Sequence, residues 1–331
     1  MFDLCGGFVY SQVLLACIRL GLLERLAQSP NSAAELADAL DLPRGPLDRL
    51  LEAAESLELI ERRGADRFGL GTLGAALLGN PAVGMMIEHH SALYADLSDP
   101  VALMRGELGK TQLSRFWAYS VNERPDTLTD KDTDAYSDLM AASQNLIAEQ
   151  VLSAYPVARH RRLLDVGGGA GAFALAAMQN APRLQACVFD LPSVSQRAHE
   201  CFHRSGLSDR GSAKGGDFTA DPLPTGFDLI SLVRILHDHN DDVVLDLLNS
   251  VRKSIAPGGR ILVAEPMRET RGAEPVGAAY FGFYLMAMGQ GRPRSAKELS
   301  GMLEAAGFSA PRLRSTSAPL LCRVLVAEAA D

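Results

Sequence analysis

The sequence predicts an α/β protein: a doubly wound domain with a parallel sheet, preceded by a smaller and mostly helical domain. Three observations carry this reading. From residue 161 onward, apolar strand-like runs alternate with helical segments, and helices that follow strands imply crossover connections between parallel strands. The stretch LLDVGGGAGAFALAAM passes from a strand through a glycine turn into a helix. Up to about residue 105 the chain is Leu/Ala-rich, with apolar residues at helical spacing. At 331 residues there is room for two domains and a substantial core. We place the first at 1–105 and the second at 106–331, with linker helices over 106–160.

The first element, FVYSQVLLACIRLGLLERL, is apolar on most faces and is expected to be buried on most faces. Asp3 stands where a signal peptide would carry positive charge. Ser11, Gln12 and Arg19 leave the apolar run short of the roughly 18 residues a membrane span needs. It reads as a packed helix, not as an anchor. NSAAELADALDL follows, with Asn31-Ser32 as N-cap and Glu35 three residues after Ser32, the pattern of a capping box. After a PRG turn comes PLDRLLEAAESLELI, a second amphipathic helix with Pro46 as its first residue. ERRGADRFGL then supplies two short strands about a Gly-Ala-Asp turn. Helix, turn, helix, hairpin is the order of a winged helix. Its second helix carries Arg49 among Asp48, Glu52, Glu55 and Glu58, a sign that repels phosphate. Dimerisation or packing is the use this surface suits.

RPDTLTDKDTDAY is the most loop-like stretch of the chain, and YSDLMAASQNLIAEQVLSAYP reads as a long helix ending at Pro156. Thereafter RRLLDVGG, LQACVFDLP, GSAKGGDF, FDLISLV and GGRILVAEP are strands. GAFALAAMQNA, SVSQRAHECFHRSG and DVVLDLLNSVRKSIA are the helices between them.

The formal net charge of −8 excludes global attraction for nucleic acid. Five scattered cysteines without a C-x-x-C pattern point to free thiols in a reducing compartment. His199, Cys201 and His203 put two imidazoles near one helix face, but no third ligand accompanies them, and no metal is expected.

Ligands of an open α/β sheet sit at the carboxyl ends of its strands, and the chemistry-bearing residues fall there. Gly167, Gly169 and Gly171 let backbone pass beneath a ligand where a Cβ would clash. Read loosely the turn also fits a dinucleotide fingerprint, and a ligand-free glycine turn would look the same. Asp190 closes the next strand, placed for the two ribose hydroxyls of a nucleoside or for a plain turn. Asp217 and Phe218 offer a partner for an adenine amino group and a ring to stack on it, or a turn aspartate and a core phenylalanine. Only one nucleoside site's worth of motifs is present, and the later strands lead to ILHDHND, where His237 stands at the end of an apolar run. Histidine there is either a base facing a pocket or part of an ordinary loop. A methyl donor, S-adenosylmethionine, lying across the strand ends connects these features.

In that order LLDVGGGAG, VFDLP, GDF, ILHDHND and PGGRILVAEP resemble the small-molecule O-methyltransferases of the plant caffeic-acid type. FGFYLMAMGQGRPRSAKELSGMLEAAGF and GFVYSQVLLACIRLGLLERL are most similar, within that family, to bacterial carotenoid hydroxyl O-methyltransferases. The resemblance implies a winged-helix dimerisation domain, hence a homodimer, joined to a Rossmann-like domain that binds S-adenosylmethionine. It implies His237 as catalytic base and Glu265 as the acid that orients it. Gly167, Gly169, Asp190, Asp217, Phe218 and Arg234 are then cofactor contacts. The chain departs from the plant pattern in three places. Val233-Arg234 replaces a Lys-Trp pair, His239 replaces a tryptophan, and Pro293 in GRPRS stands where a second orienting acid is expected.

A lipophilic acceptor, with a 1-hydroxycarotenoid ahead of a phenolic or polyketide hydroxyl, is the implied substrate. It brings the expectation of a cytoplasmic protein with loose, peripheral association at the inner membrane. Tyr280, Phe281, Phe283, Tyr284, Met286 and Met288 form either core or an apolar wall beside the pocket, with Met86, His89, His90, Tyr94, Trp117 and Tyr136 at its mouth. Two other classes remain open at this point: a ligand-sensing winged-helix regulator, and a relative that binds the cofactor without transferring methyl.

Overall fold

The computed structural model describes residues 1–118 and 143–330. The chain forms two compact units, Met1–Ser91 and Ala92–Asp331. That division falls before the boundary expected near residue 105.

The first unit opens with α1 (Phe2–Arg19) and α2 (Leu22–Gln28). β1 (Asn31–Ser32) leads into α3 (Ala33–Leu40), whose capping box is present: Ser32 Oγ accepts from the Glu35 amide and Glu35 accepts from the Ser32 amide. α4 (Arg44–Ser56) begins two residues ahead of Pro46, because Pro43 already serves as its N-cap. β2 (Ile60–Arg62) and β3 (Arg67–Leu70) make the expected hairpin, and β1 adds a third strand against β3. α5 (Thr72–Leu78) follows, and α6 (Pro81–Asp96) runs across the division between the units. The core comprises Leu22, Leu23, Leu26, Leu36, Leu47, Leu51 and Ile60.

α1 corrects the expectation of a helix buried on most faces. Only Leu15 and Cys17 are buried, while Phe2, Leu4 and Phe8 are 90%, 85% and 64% exposed. The single chain has core enough to cover only the last turns of the helix. By length and composition α1 is also long and apolar enough to cross a membrane, despite Ser11 and Gln12.

In the second unit α7 (Pro100–Met104), α8 (Gln112–Ala118) and α9 (143–154) precede the sheet. The start expected for the helix before Pro156 lies outside the described residues. Then come β4 (Arg162–Val166), α10 (Ala172–Asn180), β5 (Gln185–Asp190), α11 (Pro192–Arg204), β6 (Gly211–Gly215) and β7 (Phe227–Val233). α12 (Asp241–Ser254) leads to β8 (Ile255–Glu265), α13 (Phe281–Met288), α14 (Ala296–Ala305), β9 (Phe308–Arg314) and β10 (Arg323–Ala329). The strand order is β6-β5-β4-β7-β8-β10-β9, with β4 to β8 mutually parallel and β10 antiparallel to both its neighbours.

Side chains alternate cleanly through this sheet. Leu164, Ile230 and Ile261 pack with Val244, Leu248 and Val251 of α12, and with Leu303 of α14. Leu163, Leu229 and Leu262 point the other way, onto Phe173, Ala177 and Met178 of α10 and Phe202 of α11. With both faces covered, only strand ends remain for a ligand. Sheet order reverses direction between β4 and β7, and that switch point opens the crevice.

Candidate active site

Five strand ends assemble the site. After β4 the chain turns through Gly167 and Gly169, at φ of +67° and +57°, backbone that side chains rarely adopt. A Cβ on Gly168 would overlap the Asp165 carboxyl, whereas one on Gly169 would meet nothing within 4 Å. The second glycine therefore faces open space. Asp190, closing β5, steadies this turn: its Oδ2 accepts from the Gly169 amide (2.8 Å) and its Oδ1 from the Leu191 amide (2.7 Å). Burial raises the Asp190 pKa, and the two amide bonds oppose the rise. The first oxygen of Asp190 is thus tied to the very loop with which the sequence paired it.

Beyond β6, the Oδ1 of Asp217 accepts from the Thr219 amide and hydroxyl, at 2.8 and 2.6 Å. It serves the turn that the sequence left as one of its two roles. Phe218 packs partly on the core and meets the His239 ring edge-on, 5.2 Å between centroids. The β6 loop is thereby brought against the turn after β7.

That turn is a single 3₁₀ element, Leu236–Asp238, and it carries His237. Arg234 precedes it at φ +57°, a left-handed conformation that costs a non-glycine residue of order 1 kcal/mol or more. His237 is buried, 6% exposed, and Glu265 at the end of β8 is 2% exposed. Nδ1 of His237 pairs with Oε2 of Glu265 in a very short contact. The other carboxylate oxygen accepts from the Ile235 and Leu236 amides, at 3.0 and 2.7 Å. Glu265 therefore fixes ring and turn together. Nε2 lies 3.1 Å from Asp238 Oδ1. Burial pulls the His237 pKa down, but the Asp238 and Glu265 carboxylates outweigh it, and the net displacement is upward. Burial raises the Asp238 pKa against the pull of His237.

Aromatic rings continue from the base. Phe281 stands edge-on to His237 at 6.2 Å, then Tyr280 lies 5.0 Å from Phe281, Tyr284 5.7 Å from Tyr280, and Trp117 6.4 Å from Tyr284. Trp117 Nε1 donates to the Tyr284 hydroxyl at 2.9 Å. Tyr284 and Met288 are buried, Tyr280, Phe281 and Phe283 half-buried, and Met286 exposed. Met86, His89 and His90 belong to α6 within the first unit, Tyr94 to its continuation in the second. Tyr136 lies outside the described residues.

One site residue passed unremarked in the sequence beyond marking a spacing. Asp165 in β4 is 1% exposed, and its Oδ1 accepts from Ser231 Oγ at 2.6 Å while Oδ2 has no partner. Burial pushes its pKa up to about 7. A carboxyl inside the apolar run LLDV was the available signal. Among the described residues no cluster of metal-ligating side chains occurs.

Residues 94–309 match the O-methyltransferase domain and residues 2–80 the O-methyltransferase dimerisation domain. The chain belongs to the O-methyltransferase family. It is 42% identical over 312 residues to the demethylspheroidene O-methyltransferase of Cereibacter sphaeroides, covering 93% of this chain and 81% of that one. The demethylspheroidene O-methyltransferase of Rhodobacter capsulatus is 39% identical, over 99% and 81% of the two chains. Among solved structures, human N-acetylserotonin methyltransferase in complex with S-adenosylmethionine superposes with a TM-score of 0.79 at 25% identity, over 99% of this chain and 96% of that one. The fold is also that of the methyltransferase SibL, at a TM-score of 0.86 and 23% identity, over 100% and 98%.

The protein is thus an O-methyltransferase with a dimerisation domain at its N-terminus, and its cofactor is S-adenosylmethionine. The strand-end crevice fits that group. Gly169 leaves room beside the turn, and Asp190 has lone pairs beyond its two amide bonds.

Proposed function

We propose that this O-methyltransferase methylates the hydroxyl of a lipophilic acceptor, with a 1-hydroxycarotenoid as its substrate and His237 as the general base. The observation that carries the acceptor class is the chain of rings from Phe281 through Tyr280 and Tyr284 to Trp117, which leads away from His237. Tyr284, Tyr280 and Trp117 pack into an apolar cluster with Leu93, Leu103 and Leu113, and apolar surroundings on that side of His237 suit a polyene better than a compact phenol. The 42% identity to a demethylspheroidene O-methyltransferase supports the same assignment.

Bound S-adenosylmethionine supplies an electrophilic methyl on its sulfonium. Gly167, Gly169, Asp190, Asp217, Phe218 and Arg234 would hold it across the strand ends, with Asp190 as the acceptor for the ribose hydroxyls and Phe218 as the ring for the adenine. Glu265 accepts a hydrogen bond from Nδ1–H of His237, which leaves the Nε2 lone pair for the acceptor hydroxyl. The hydroxyl proton passes to Nε2, and the Glu265 and Asp238 carboxylates stabilise the imidazolium that results. Asp238 must yield Nε2 to the incoming hydroxyl and regains it afterwards. A tertiary alcohol is a weak acid, so proton removal must accompany attack. A positioned base contributes roughly 10²–10⁴-fold, and alignment of the reactants about 7–11 kcal/mol.

The exposed apolar face of α1 is the surface through which two copies pair, and the membrane-borne acceptor brings loose peripheral association with the inner face of the cytoplasmic membrane. The test is methyl transfer from labelled S-adenosylmethionine to 1-hydroxyneurosporene or demethylspheroidene in detergent. Transfer that collapses in His237→Ala while cofactor binding persists supports acceptor and base together. Transfer only to a phenol panel would replace the carotenoid with a phenolic acceptor. Binding to duplex DNA at low salt would favour the regulator instead, and flotation with liposomes tests the membrane association.

A further inference from the structure

The resemblance to the plant-type enzymes places Pro293 where a second acid orienting the imidazole is expected, and the residue after it is Arg294. Arg294 is 2% exposed, a buried cation in a loop rich in glycine. Its Nη1 donates to the Leu236 carbonyl at 2.6 Å and its Nη2 to the His239 carbonyl at 2.8 Å. Its charge is balanced by Asp241 Oδ1, 3.0 Å from Nε and 2.6 Å from Nη2. The carbonyl of His237 itself accepts from the Arg292 amide at 3.0 Å. Gly291 lies flat against the same turn: at φ +79°, it would place a Cβ on the His237 carbonyl and 2.7 Å from the Asp238 carbonyl carbon.

We propose that Arg294 is a positioning residue for His237, acting through its fork on the Leu236 and His239 carbonyls. The inference rests on His237 being the base. Glu265 grips the amide side of the turn, at Ile235 and Leu236. Arg294 and the Arg292 amide grip the carbonyl side. The ring is then fixed in height and tilt by opposed charges, though only one carboxylate touches Nδ1. A planar guanidinium can serve two carbonyls and a carboxylate at once, and an ammonium cannot do so in the same geometry. Displacing reacting groups by about 1 Å costs on the order of 100-fold in rate, which sets the scale expected here.

The experiment measures kcat, the KM for S-adenosylmethionine and cofactor binding for R294M, R294K, D241N and H237A, with 1-hydroxyneurosporene as acceptor. R294M is expected to lose about 100-fold in kcat with KM and cofactor affinity within twofold, and R294K to recover less than a tenth of the wild-type rate. D241N, at a carboxylate half exposed to solvent, is expected to fold normally and lose about fivefold in kcat alone. Should R294M fail to fold, D241N decides. A kcat within twofold of wild type in the folded variants overturns the proposal, as does a loss that appears in cofactor affinity and not in kcat. H237A separates the two readings: full activity there removes the base itself, whereas an inactive H237A beside a fully active R294M removes only the clamp.

Discussion

Replacing Glu265 with glutamine tests the base most sharply, because the change is isosteric and every partner of the carboxylate is known. Oε1 of the glutamine can still accept from the Ile235 and Leu236 amides, so the turn keeps both bonds. The other end of the side chain becomes an NH₂ group facing His237 Nδ1. A donor now meets the nitrogen that must donate, so the ring shifts its proton to Nε2, and Nε2 loses the lone pair that takes the substrate proton. The charged partner of the developing imidazolium also goes; hydrogen bonds to charged groups are worth about 1.5–3 kcal/mol, roughly 10- to 150-fold. Blocking the base outright removes its whole contribution, on the order of 10²–10⁴-fold, and we expect kcat to fall in that range. All three partners of Glu265 lie within residues 235–237, so cofactor affinity should stay within about twofold of wild type. Single-turnover methyl transfer at saturating cofactor, with a calorimetric cofactor titration alongside, makes the comparison. A glutamine variant with kcat within threefold of wild type would refute the reasoning, since His237 would then need no acid to set its tautomer.

Three further outcomes follow from the same geometry. His237 must be neutral to act, and its carboxylate neighbours raise its pKa above 6.5, so activity should be lost as pH falls through a limb lying above 6.5; a pH–rate profile with its midpoint below 6 would contradict the pairing. Asp190→Asn should weaken cofactor binding on the order of 10- to 100-fold while kcat at saturation holds within threefold, because it removes a charged acceptor beside the glycine turn and leaves the base alone; calorimetry reads the first and initial rates the second. Phe8, 64% exposed on α1, should belong to the dimer contact, and Phe8→Asp should shift the mass in light scattering from two chains to one. An unchanged dimer would move that interface elsewhere.

The parallel half of the sheet was legible because β4, β5, β7 and the later part of β8 are mostly apolar runs between helical segments, and the capping box at Ser32 because its spacing is diagnostic on its own. His237 was readable as a strand-end residue and Glu265 only through the family resemblance, and the structure brings the two into contact across 28 positions. Other features gave no comparable signal. β9 reads FSAPRLR, with a proline, two arginines and mostly exposed side chains, and nothing in that pattern marks a strand. β8 starts at Ile255, ahead of a Pro-Gly-Gly run that reads locally as a turn. For α1 the periodicity was informative but ambiguous: an apolar helix looks the same whether its cover comes from its own chain or from another. Arg294 was invisible for a different reason. An arginine in a Gly-Pro loop reads as solvated, and one of its partners is a backbone carbonyl 58 positions away, which has no residue identity to recognise.

The burial of these groups argues for their role independently of any relative. Glu265, His237, Arg294 and Asp165 are between 1% and 6% exposed, and apolar residues of similar volume would often serve stability as well or better than buried ionic groups. The turn they surround contributes almost nothing to the two cores, since of Leu236, His237 and Asp238 only the leucine joins one. A carboxylate on its amides, a guanidinium on its carbonyls and a left-handed arginine just before it are more constraint than a connection from β7 to α12 requires. What that constraint does fix is one imidazole, with one nitrogen committed to Glu265 and the other turned toward Asp238. The structure spends its buried charge where a proton has to move.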